Sequence, residues 1–454
     1  ESLGNPSENT CTKCQMSTML KQLCKRCSAS HMLRCAAKRL INQQNHRPLS
    51  TTGVQWVLVK DGKTPRTNLL EQLEARIRLT GPITVAEYMK EVLTNPTAGY
   101  YMHKDVFGQK GDFITSPEIS QMFGELIGVW CTYEWTQCGS PSEVQIVELG
   151  PGRGTLADDM LRVFTQLGDI KQAVSVHLVE VSPTLSEVQK KKLCGDSTES
   201  QPTKDKPYYM HCQSKYGPNV SWYKYITDVP RAFTIFIAHE FFDALPIHKF
   251  QKKDGKWREV LVEIENNRSA PNHLRYALSP GMTPASILVK DALAIDDKRD
   301  HIEICPPGGL LIQEIANRVE VDGGMALIAD YGYFGEKTDT FRGFKEHKLH
   351  DALAEPGTAD LTADVDFAYL KRMVSDRAQF YGPITQRDFL GRMGIGYRAE
   401  ALVKKAPLEQ RRDIISGYDM LINPEKMGER FKFIALSRHK GKEYQPAGFS
   451  DPAA

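Results

Sequence analysis

The distribution of apolar and polar residues divides the chain into a helical first part and a longer part of alternating strands and helices. Apolar side chains recur at helical spacing over 68–81 and again over 82–93. Thr84 and Glu87 have the spacing of a capping box at the start of the second of these helices. A strongly apolar run over 117–136 predicts one further helix.

From residue 145 the pattern changes to short, continuously apolar runs. The first two of these runs are followed by helical stretches. The runs that predict strands cover 145–150, 176–181, 234–239, 325–330, 378–381 and 431–437. Asp254 and Gly255 predict the turn of a hairpin over 247–265. Buried strands that alternate with helices indicate a mostly parallel sheet covered on both faces, so the predicted fold class is α/β.

A glycine-rich turn follows the first of these strands. Gly150, Gly152 and Gly154 lie between the buried strand IVEL and an amphipathic helix. Glycines let a ligand approach the backbone closely, and open α/β sheets bind ligands at the carboxyl ends of their strands. Glu148 precedes the turn, and Glu180 ends the second strand, where its carboxylate can accept hydrogen bonds from both ribose hydroxyls. These five residues are predicted to bind a nucleoside-containing cofactor.

The spacing of the glycines distinguishes between two such cofactors. A dinucleotide site uses Gly-x-Gly-x-x-Gly to hold a pyrophosphate at the helix N-terminus. This chain has Gly-x-Gly-x-Gly with Glu148 just before it. An anion beside the turn disfavours pyrophosphate and favours a sulfonium or an α-amino group. The prediction is therefore S-adenosylmethionine, and an NAD-dependent dehydrogenase is the least favoured function.

The helix predicted from residue 117 is a second candidate for the cofactor site. Ser116, Pro117 and Glu118 form its start, and its N-terminus could face the carboxylate of the cofactor's methionine part. The alternative is an ordinary capped helix with no ligand.

Composition and charge indicate a leader segment at the N-terminal end of the chain. The 454 residues carry a formal charge of +2, yet no Asp or Glu occurs between Asn9 and Lys60. From Met32 the chain is basic and contains Ser and Thr, which is typical of a mitochondrial targeting peptide, with Met32 as the start. A disordered basic tail is the alternative. No window is apolar enough to span a membrane.

The cysteines divide between this leader and the rest of the chain. Two Cys-x-x-Cys pairs in the leader could hold zinc, but they lie closer together than in known zinc ribbons, and we predict no metal. The remaining five are scattered and are expected to be reduced thiols. They are Cys131, Cys138, Cys194, Cys212 and Cys305.

Several longer stretches resemble one family, the MidA-like mitochondrial methyltransferases. GDFITSPEIS and HEFFDALP are the most specific of these stretches. The matching stretches cover 81–96, 111–128, 147–154, 238–251, 329–332, 347–367 and 427–437. The sequence departs from the bacterial pattern at His239, where bacterial members carry Asn, and at Asp364, where they carry His.

The resemblance implies a class I, Rossmann-like methyltransferase sheet with a helical N-terminal addition and inserted and C-terminal additions. It implies symmetric dimethylation of an arginine on a core complex I subunit in the mitochondrial matrix, by a protein-arginine ω-N-methyltransferase. A homodimer remains open. The expected domains are a leader over 1–60, a helical segment covering the cofactor over 68–136, a core with insertions over 137–439 and a flexible tail over 440–454.

Methylation of arginine would need carboxylates beside the cofactor. A guanidinium is always protonated, so acids must bind its N–H groups and orient one nitrogen. Glu240 and Asp243 follow the strand over 234–239, and they are the candidate catalytic residues together with His239. The alternative is that Asp243 caps a turn, Glu240 pairs with a structural base and His239 orients its neighbours.

Three other functions remain to be compared with protein methylation. One is a non-catalytic assembly chaperone that only binds the cofactor, and the others are methylation of RNA or of a small molecule. The folded part has no Lys/Arg-rich run with interleaved aromatic residues, so nucleic acid is not expected as a partner. Long additions at both ends favour a macromolecular substrate over a metabolite.

Overall fold

The computed structural model describes residues 64–102, 114–195, 206–293, 298–438 and 444–450. The predicted leader, its start at Met32 and its cysteine pairs lie outside these residues. The α-helices are α1 (Asn68–Thr80), α2 (Val85–Thr94), α3 (Ser116–Ile119), α4 (Gln121–Gln137), α5 (Thr155–Phe164), α6 (Ile170–Ala173), α7 (Pro183–Cys194), α8 (Leu288–Ala292), α9 (Pro306–Asp322), α10 (Phe367–Val374), α11 (Gln386–Arg392), α12 (Ile395–Lys405) and α13 (Leu408–Ile422).

The strands follow the alternation that the apolar runs predict, with additional short strands between them. They are β1 (Ile83–Thr84), β2 (Val144–Leu149), β3 (Val174–Val179), β4 (Met210–Gln213), β5 (Asn219–Tyr223), β6 (Thr234–His239), β7 (His248–Lys253), β8 (Lys256–Ile264), β9 (Leu274–Leu278), β10 (His301–Ile304), β11 (Gly324–Tyr333), β12 (Arg342–Lys345), β13 (Lys348–His350), β14 (Asp360–Thr362), β15 (Val365–Asp366), β16 (Gln379–Thr385) and β17 (Phe431–Ser437).

The central sheet has the strand order β16-β17-β11-β6-β2-β3-β5-β4, and β15 extends it beside β11. The five strands from β5 to β11 are parallel to one another. At the two ends of the sheet, β17 runs antiparallel to both β11 and β16, and β4 runs antiparallel to β5. This is the mostly parallel α/β sheet of the predicted class, and that prediction is confirmed.

Helix α4 packs closely against α5 on one face of this sheet. The contact depends on small residues of α4, because a Cβ at Gly124 would come within 2.5 Å of the Cβ of Asp159. A Cβ at Gly128 would come within 2.9 Å of the Cβ of Val163. The interface is further fixed by Glu125, whose buried carboxylate binds Arg398 of α12 through two bonds of 2.6 and 2.8 Å. These contacts hold α4, which precedes β2, against α5, which follows β2, and against α12.

A second, antiparallel sheet contains β1, β8, β7, β10 and β9. Strands β7 and β8 form the predicted hairpin, with Asp254 and Gly255 in the left-handed region at its turn. The N-terminal helices α1 and α2 pack on this sheet through a shared core that includes Leu73, Tyr88 and Val262. The capping box of Thr84 and Glu87 is present at the start of α2, as predicted.

The helix predicted over 117–136 is wrong in one respect, because it is broken at Ser120. The backbone of Ser120 is extended, and its hydroxyl accepts a hydrogen bond from the N–H of Met122, which makes it the cap of α4. Serine favours such a cap over a helix interior since its side chain competes for backbone groups. Ser116 is the first residue of α3, and Thr115 precedes it as N-cap.

Two further expectations differ from the structure. Residues 444–450 do not form a flexible tail: Ala447 and Phe449 are buried, and the Ala447 carbonyl accepts a hydrogen bond of 3.0 Å from the Trp130 indole. Cys194 and Cys212 are not reduced thiols, because they form a disulfide with their Cα atoms 6.5 Å apart. Within the described ranges, no helix combines the length and the apolar composition that crossing a membrane requires.

Candidate functional site

A cleft opens at the carboxyl ends of β2 and β6. Three segments line it: the start of α3, the turn between β2 and α5, and the end of β6. Its lining residues are Thr115, Pro117, Glu118, Glu148, Gly150, Pro151, Gly152, Arg153, Thr155, Leu156, His239 and Glu240. The sheet therefore brings together most of the residues predicted for the cofactor and two of the three predicted for catalysis.

The glycine turn forms the floor of the cleft. Gly150, Gly152 and Gly154 all have positive φ, at 63°, 53° and 74°, which residues with a side chain rarely adopt. At Gly150 a Cβ would also lie 2.5 Å from the ring of Phe241. The turn thus needs glycine for its backbone conformation and for its contact with the segment after β6. Without side chains, the two glycines that line the cleft leave its floor open to a ligand.

Glu148 carries an acid into this cleft from the end of β2. Its residue is 3% exposed, and burial raises the pKa of its carboxyl from the usual 4.5 to about 8. Its Oε2 atom is buried without a hydrogen-bond partner. A buried acceptor with no partner is unfavourable, and a ligand with a cationic or N–H group would relieve it. The residues present therefore fit a sulfonium-containing cofactor with an α-amino group.

Glu180 lies beside the cleft and does not line it. Its Oε1 accepts a hydrogen bond of 2.7 Å from the backbone N–H of Ser182, and its Oε2 accepts one of 3.0 Å from the Gln189 side chain. Burial raises the pKa of Glu180 to about 7. The role of Glu180 as acceptor for ribose hydroxyls stays a prediction, and each carboxylate oxygen has a second lone pair for such a bond.

The start of α3 covers the cleft from the other side. Pro117 and Glu118 line it, whereas Ser116 is fully buried behind them with no partner for its hydroxyl oxygen. The backbone N–H of Ser116 donates to Glu240. Glu118 faces Arg153 of the glycine turn across the cleft, with the Arg153 Nη1 and Glu118 Oε1 atoms 3.6 Å apart. Arg153 is a lining residue that the sequence argument did not single out.

His239 and Glu240 end β6 at the edge of the cleft. Glu240 has a positive φ of 49°, which is uncommon for a residue with a side chain. Burial, with the nearby charge of Asp243, raises the pKa of Glu240 to about 8. Burial lowers the pKa of His239 to about 3. The Oε1 atom of Glu240 is buried with no hydrogen-bond partner, so this carboxyl can accept a donor from a ligand.

Asp243 lies deeper, in a hydrogen-bonded group formed by distant parts of the chain. Its Oδ2 atom accepts bonds from the hydroxyls of Tyr331 and of Thr362, the latter at 2.8 Å. Its Oδ1 atom is buried without a partner. Burial raises the pKa of Asp243, although the two hydroxyls and the charge of Arg342 act in the opposite direction. Thr362 and Arg342 were not predicted, because they lie about a hundred residues away in sequence and no local motif marks them.

Asp330 holds the turn that carries these acids. It is fully buried, and its Oδ2 atom accepts hydrogen bonds from three consecutive backbone N–H groups, those of Phe241, Phe242 and Asp243, at 3.1, 3.0 and 3.4 Å. Its Oδ1 atom accepts from the N–H of Tyr331 at 2.9 Å. Asp330 therefore supports the turn and does not line the cleft. Across the described part of the chain, no cluster of His, Cys, Asp and Glu could hold a metal ion.

The chain is similar to known proteins both in sequence and in fold. The model of a family described as "Putative S-adenosyl-L-methionine-dependent methyltransferase" matches residues 126–384. "Protein arginine methyltransferase NDUFAF7, mitochondrial" of Xenopus laevis is 49% identical, over 90% of this chain and 95% of its own. The protein of the same name from Homo sapiens is 52% identical, over 84% of this chain and 87% of its own.

A solved structure has a similar fold. It is that of a COG1565 superfamily member from Burkholderia thailandensis bound to S-adenosyl-homocysteine, with a TM-score of 0.66 and 22% identity. The match covers 82% of this chain and 92% of that one. At this identity the likeness supports the fold alone.

Proposed function

This chain belongs to the family of mitochondrial protein arginine methyltransferases named NDUFAF7, and on that premise we propose that it methylates an arginine of a mitochondrial protein. Its cofactor is S-adenosylmethionine. The proposal extends, through the family resemblance, to symmetric ω-N-dimethylation of a core complex I subunit during assembly in the matrix.

The observation that carries the proposal is the pair of acids after β6. Glu240 and Asp243 each have a buried carboxyl oxygen with no hydrogen-bond partner. A guanidinium offers five N–H donors in a planar fork that matches carboxylate geometry. Filling both acceptors with one such group would satisfy them together and would offset the charge repulsion between the two acids.

The cofactor, when bound, supplies an electrophilic methyl group on a sulfonium. The residues of this chain then have to bind the guanidinium, orient one nitrogen and exclude water. Glu240 lines the cofactor cleft and is the residue that we expect to contact the reacting nitrogen. Asp243, fixed by the hydroxyls of Tyr331 and Thr362, would bind the other side of the guanidinium. His239 is uncharged at neutral pH, so we assign it to orienting Glu240 and not to proton transfer.

The experiment that tests this function uses labelled methyl donor and an extract of mitochondria that lack the protein. We expect label in a protein of that extract, at an arginine identified by mass spectrometry of its peptides. Symmetric and asymmetric dimethylarginine are then separated by their fragment ions. Label in RNA or in a small molecule would contradict the proposal. Cofactor binding without any labelled product, under conditions that label the same extract when a known relative is added, would favour the chaperone function.

Localisation is tested independently of catalysis. A reporter protein fused behind residues 32–53 is expected to enter mitochondria and to resist external protease in mitochondria whose outer membrane has been opened. Matched fusions with the basic residues of this segment replaced by glutamine should stay in the cytosol. Protease sensitivity after opening the outer membrane would place the protein outside the matrix. Light scattering of the purified chain would test the homodimer that the resemblance leaves open.

A further inference from the structure

We propose that Arg153 binds the α-carboxylate of S-adenosylmethionine, together with the N-terminus of α5. This inference rests on the cofactor and not on arginine as the methyl acceptor. The glycine spacing and the family resemblance give no partner for that carboxylate. The sequence offers only the start of the helix at Ser116 as a candidate.

The charges that line the cleft complement those of the cofactor. Among the described residues that line the cleft, Arg153 is the one permanent cation, and the acids are Glu118, Glu148 and Glu240. His239 adds no charge at neutral pH, because burial lowers its pKa to about 3. The cofactor carries a sulfonium, an ammonium and a carboxylate. The acids can match its two cations, because a cationic ligand favours the ionised form of a carboxyl, whereas Arg153 is the one permanently cationic side chain of the described lining that can meet its carboxylate.

The position of Arg153 adds a second anion-binding element. It lies between Gly152 and Gly154, immediately before α5, and Thr155 and Leu156 at the start of that helix also line the cleft. The N-cap of α5 is Gly154, which offers no side-chain acceptor. The first N–H groups of a helix have no partner inside the helix, and the ten residues of α5 align their dipoles toward this end. A carboxylate here would meet both the guanidinium and these N–H groups.

Glu118 already shows that a carboxylate can reach Arg153 at this place. The two side chains lie 3.6 Å apart across the cleft, with Glu118 11% exposed and Arg153 36% exposed. We infer that the carboxylate of the cofactor joins or replaces Glu118 as the partner of Arg153. The start of α3 is a poorer candidate, because this helix has four residues and the N–H of Ser116 is directed to Glu240.

The test compares ligands that differ only in this carboxylate. Calorimetric titration would measure the affinity of the whole chain and of Arg153→Gln for S-adenosylmethionine, S-adenosylhomocysteine and decarboxylated S-adenosylmethionine. We expect Arg153→Gln to weaken the first two by about 10- to 100-fold, as for loss of a charge-assisted bond. The decarboxylated ligand should bind the variant as well as it binds the unchanged protein, within about threefold, because it lacks the group that Arg153 holds.

Controls separate this role from a structural one. Arg387, which is exposed at the start of α11 and does not line the cleft, provides the matched variant Arg387→Gln, expected to alter all three affinities by less than about threefold. Lys192, which bonds Thr155 at 2.5 Å, is a second cation near the start of α5, and Lys192→Gln tests it separately. An equal loss for all three ligands in Arg153→Gln would mean that the residue only shapes the turn, and it would overturn the inference. Carboxylate-dependent loss in Lys192→Gln but not in Arg153→Gln would do the same. These outcomes are independent of the methyl acceptor, because no turnover is measured.

Discussion

The Nε2 atom of His239 and the Oε1 atom of Glu240 lie 3.3 Å apart, yet the two side chains do not form a salt bridge at neutral pH. Burial lowers the pKa of His239 to about 3 and raises that of Glu240 to about 8, so both groups are uncharged between these values. Without a ligand, neither side chain of this pair is therefore charged at neutral pH. A cationic ligand beside Glu240 would favour the carboxylate form and would make binding release a proton.

Glu240→Gln tests the role of this carboxyl in catalysis. The variant keeps the size of the side chain and loses its ability to become negatively charged. We expect cofactor affinity to change little and the methylation rate to fall by about 10²–10³-fold, which is typical for loss of one transition-state charge interaction. The measurement is single-turnover transfer of labelled methyl groups, with cofactor affinity measured separately.

Two comparisons accompany this variant. The exposed Glu320, at the end of α9, gives the control Glu320→Gln, which should behave as the unchanged protein. Asp243→Asn should lower the rate similarly if both acids bind the guanidinium. If it lowers only the stability, Asp243 is a structural residue held by Tyr331 and Thr362. Near-normal turnover by Glu240→Gln would remove Glu240 from the proposed mechanism.

Cofactor affinity is expected to depend on pH through Glu148. Without ligand the pKa of this carboxyl is about 8, and the cationic cofactor favours its ionised form. Affinity should therefore rise with pH between about 6 and 8, by up to tenfold per pH unit, and then level off. Glu148→Gln should bind more weakly at pH 8 and show a flatter profile. An identical pH profile for the two proteins would contradict this role of Glu148.

The same raised pKa predicts how the stability of the cofactor-free protein depends on pH. The unfolded chain loses the proton of Glu148 near pH 4.5, whereas the folded chain keeps it to about pH 8. Between these values the folded state binds more protons, so the free energy of unfolding falls as pH rises. Relative to the unchanged protein, Glu148→Gln should gain melting temperature at pH 8.5 compared with pH 5. An opposite trend would show that Glu148 is ionised in the folded protein.

Gly152→Ala is expected to weaken cofactor binding. Gly152 has a φ of 53° and lines the cleft, so a Cβ would both strain the backbone and occupy the floor. Gly168→Ala is the matched control, because Gly168 has a φ of 97° and a Cβ there meets nothing within 4 Å. Both variants should lose about 1–2 kcal/mol of stability from backbone strain, and only Gly152→Ala should lose affinity, by at least tenfold. Equal affinities would mean that the turn is only structural.

Asp330→Asn is expected to disturb the turn that carries Glu240 and Asp243. The asparagine would keep one acceptor oxygen and would place an NH₂ group against at least one of the backbone N–H groups that Asp330 now binds. We expect a loss of about 1–3 kcal/mol in the free energy of unfolding, measured with denaturant, since buried donors lose their acceptor. The methylation rate per folded molecule should fall while cofactor affinity stays within a few fold. A rate unchanged per folded molecule would limit Asp330 to stability.

Local patterns in the sequence were sufficient to predict the central strands and the cofactor turn. β2, β3, β6, β11 and β17 are continuous apolar runs because they are covered on both faces, and such runs are visible without a structure. The glycine turn is equally local, since its three positive φ angles restrict the residue type at each position.

The parts that were missed depend on contacts between distant residues. Thr362 bonds Asp243 across 119 positions of sequence, and no residue near either one indicates that they meet. The break at Ser120 lies within an apolar run, and Gly417 of α13 packs against Ser120 at that point. Residues 444–450 have no helical or strand periodicity, yet they dock on α4 through Trp130 and Glu134. The periodicity of one segment cannot reveal such contacts, because each contact forms between two segments that are distant in sequence.

The position of β17 also has a consequence for how the polypeptide is made. β17 lies between β11 and β16 in the sheet, although it follows both along the chain. While the ribosome is still synthesising residues before 431, β11 is an open edge with unpaired backbone groups, and β16 has no neighbour to join. Open strand edges pair readily with other chains. An arrest of translation before residue 431 would therefore release an aggregation-prone intermediate, and the central sheet can close only after this late segment has emerged.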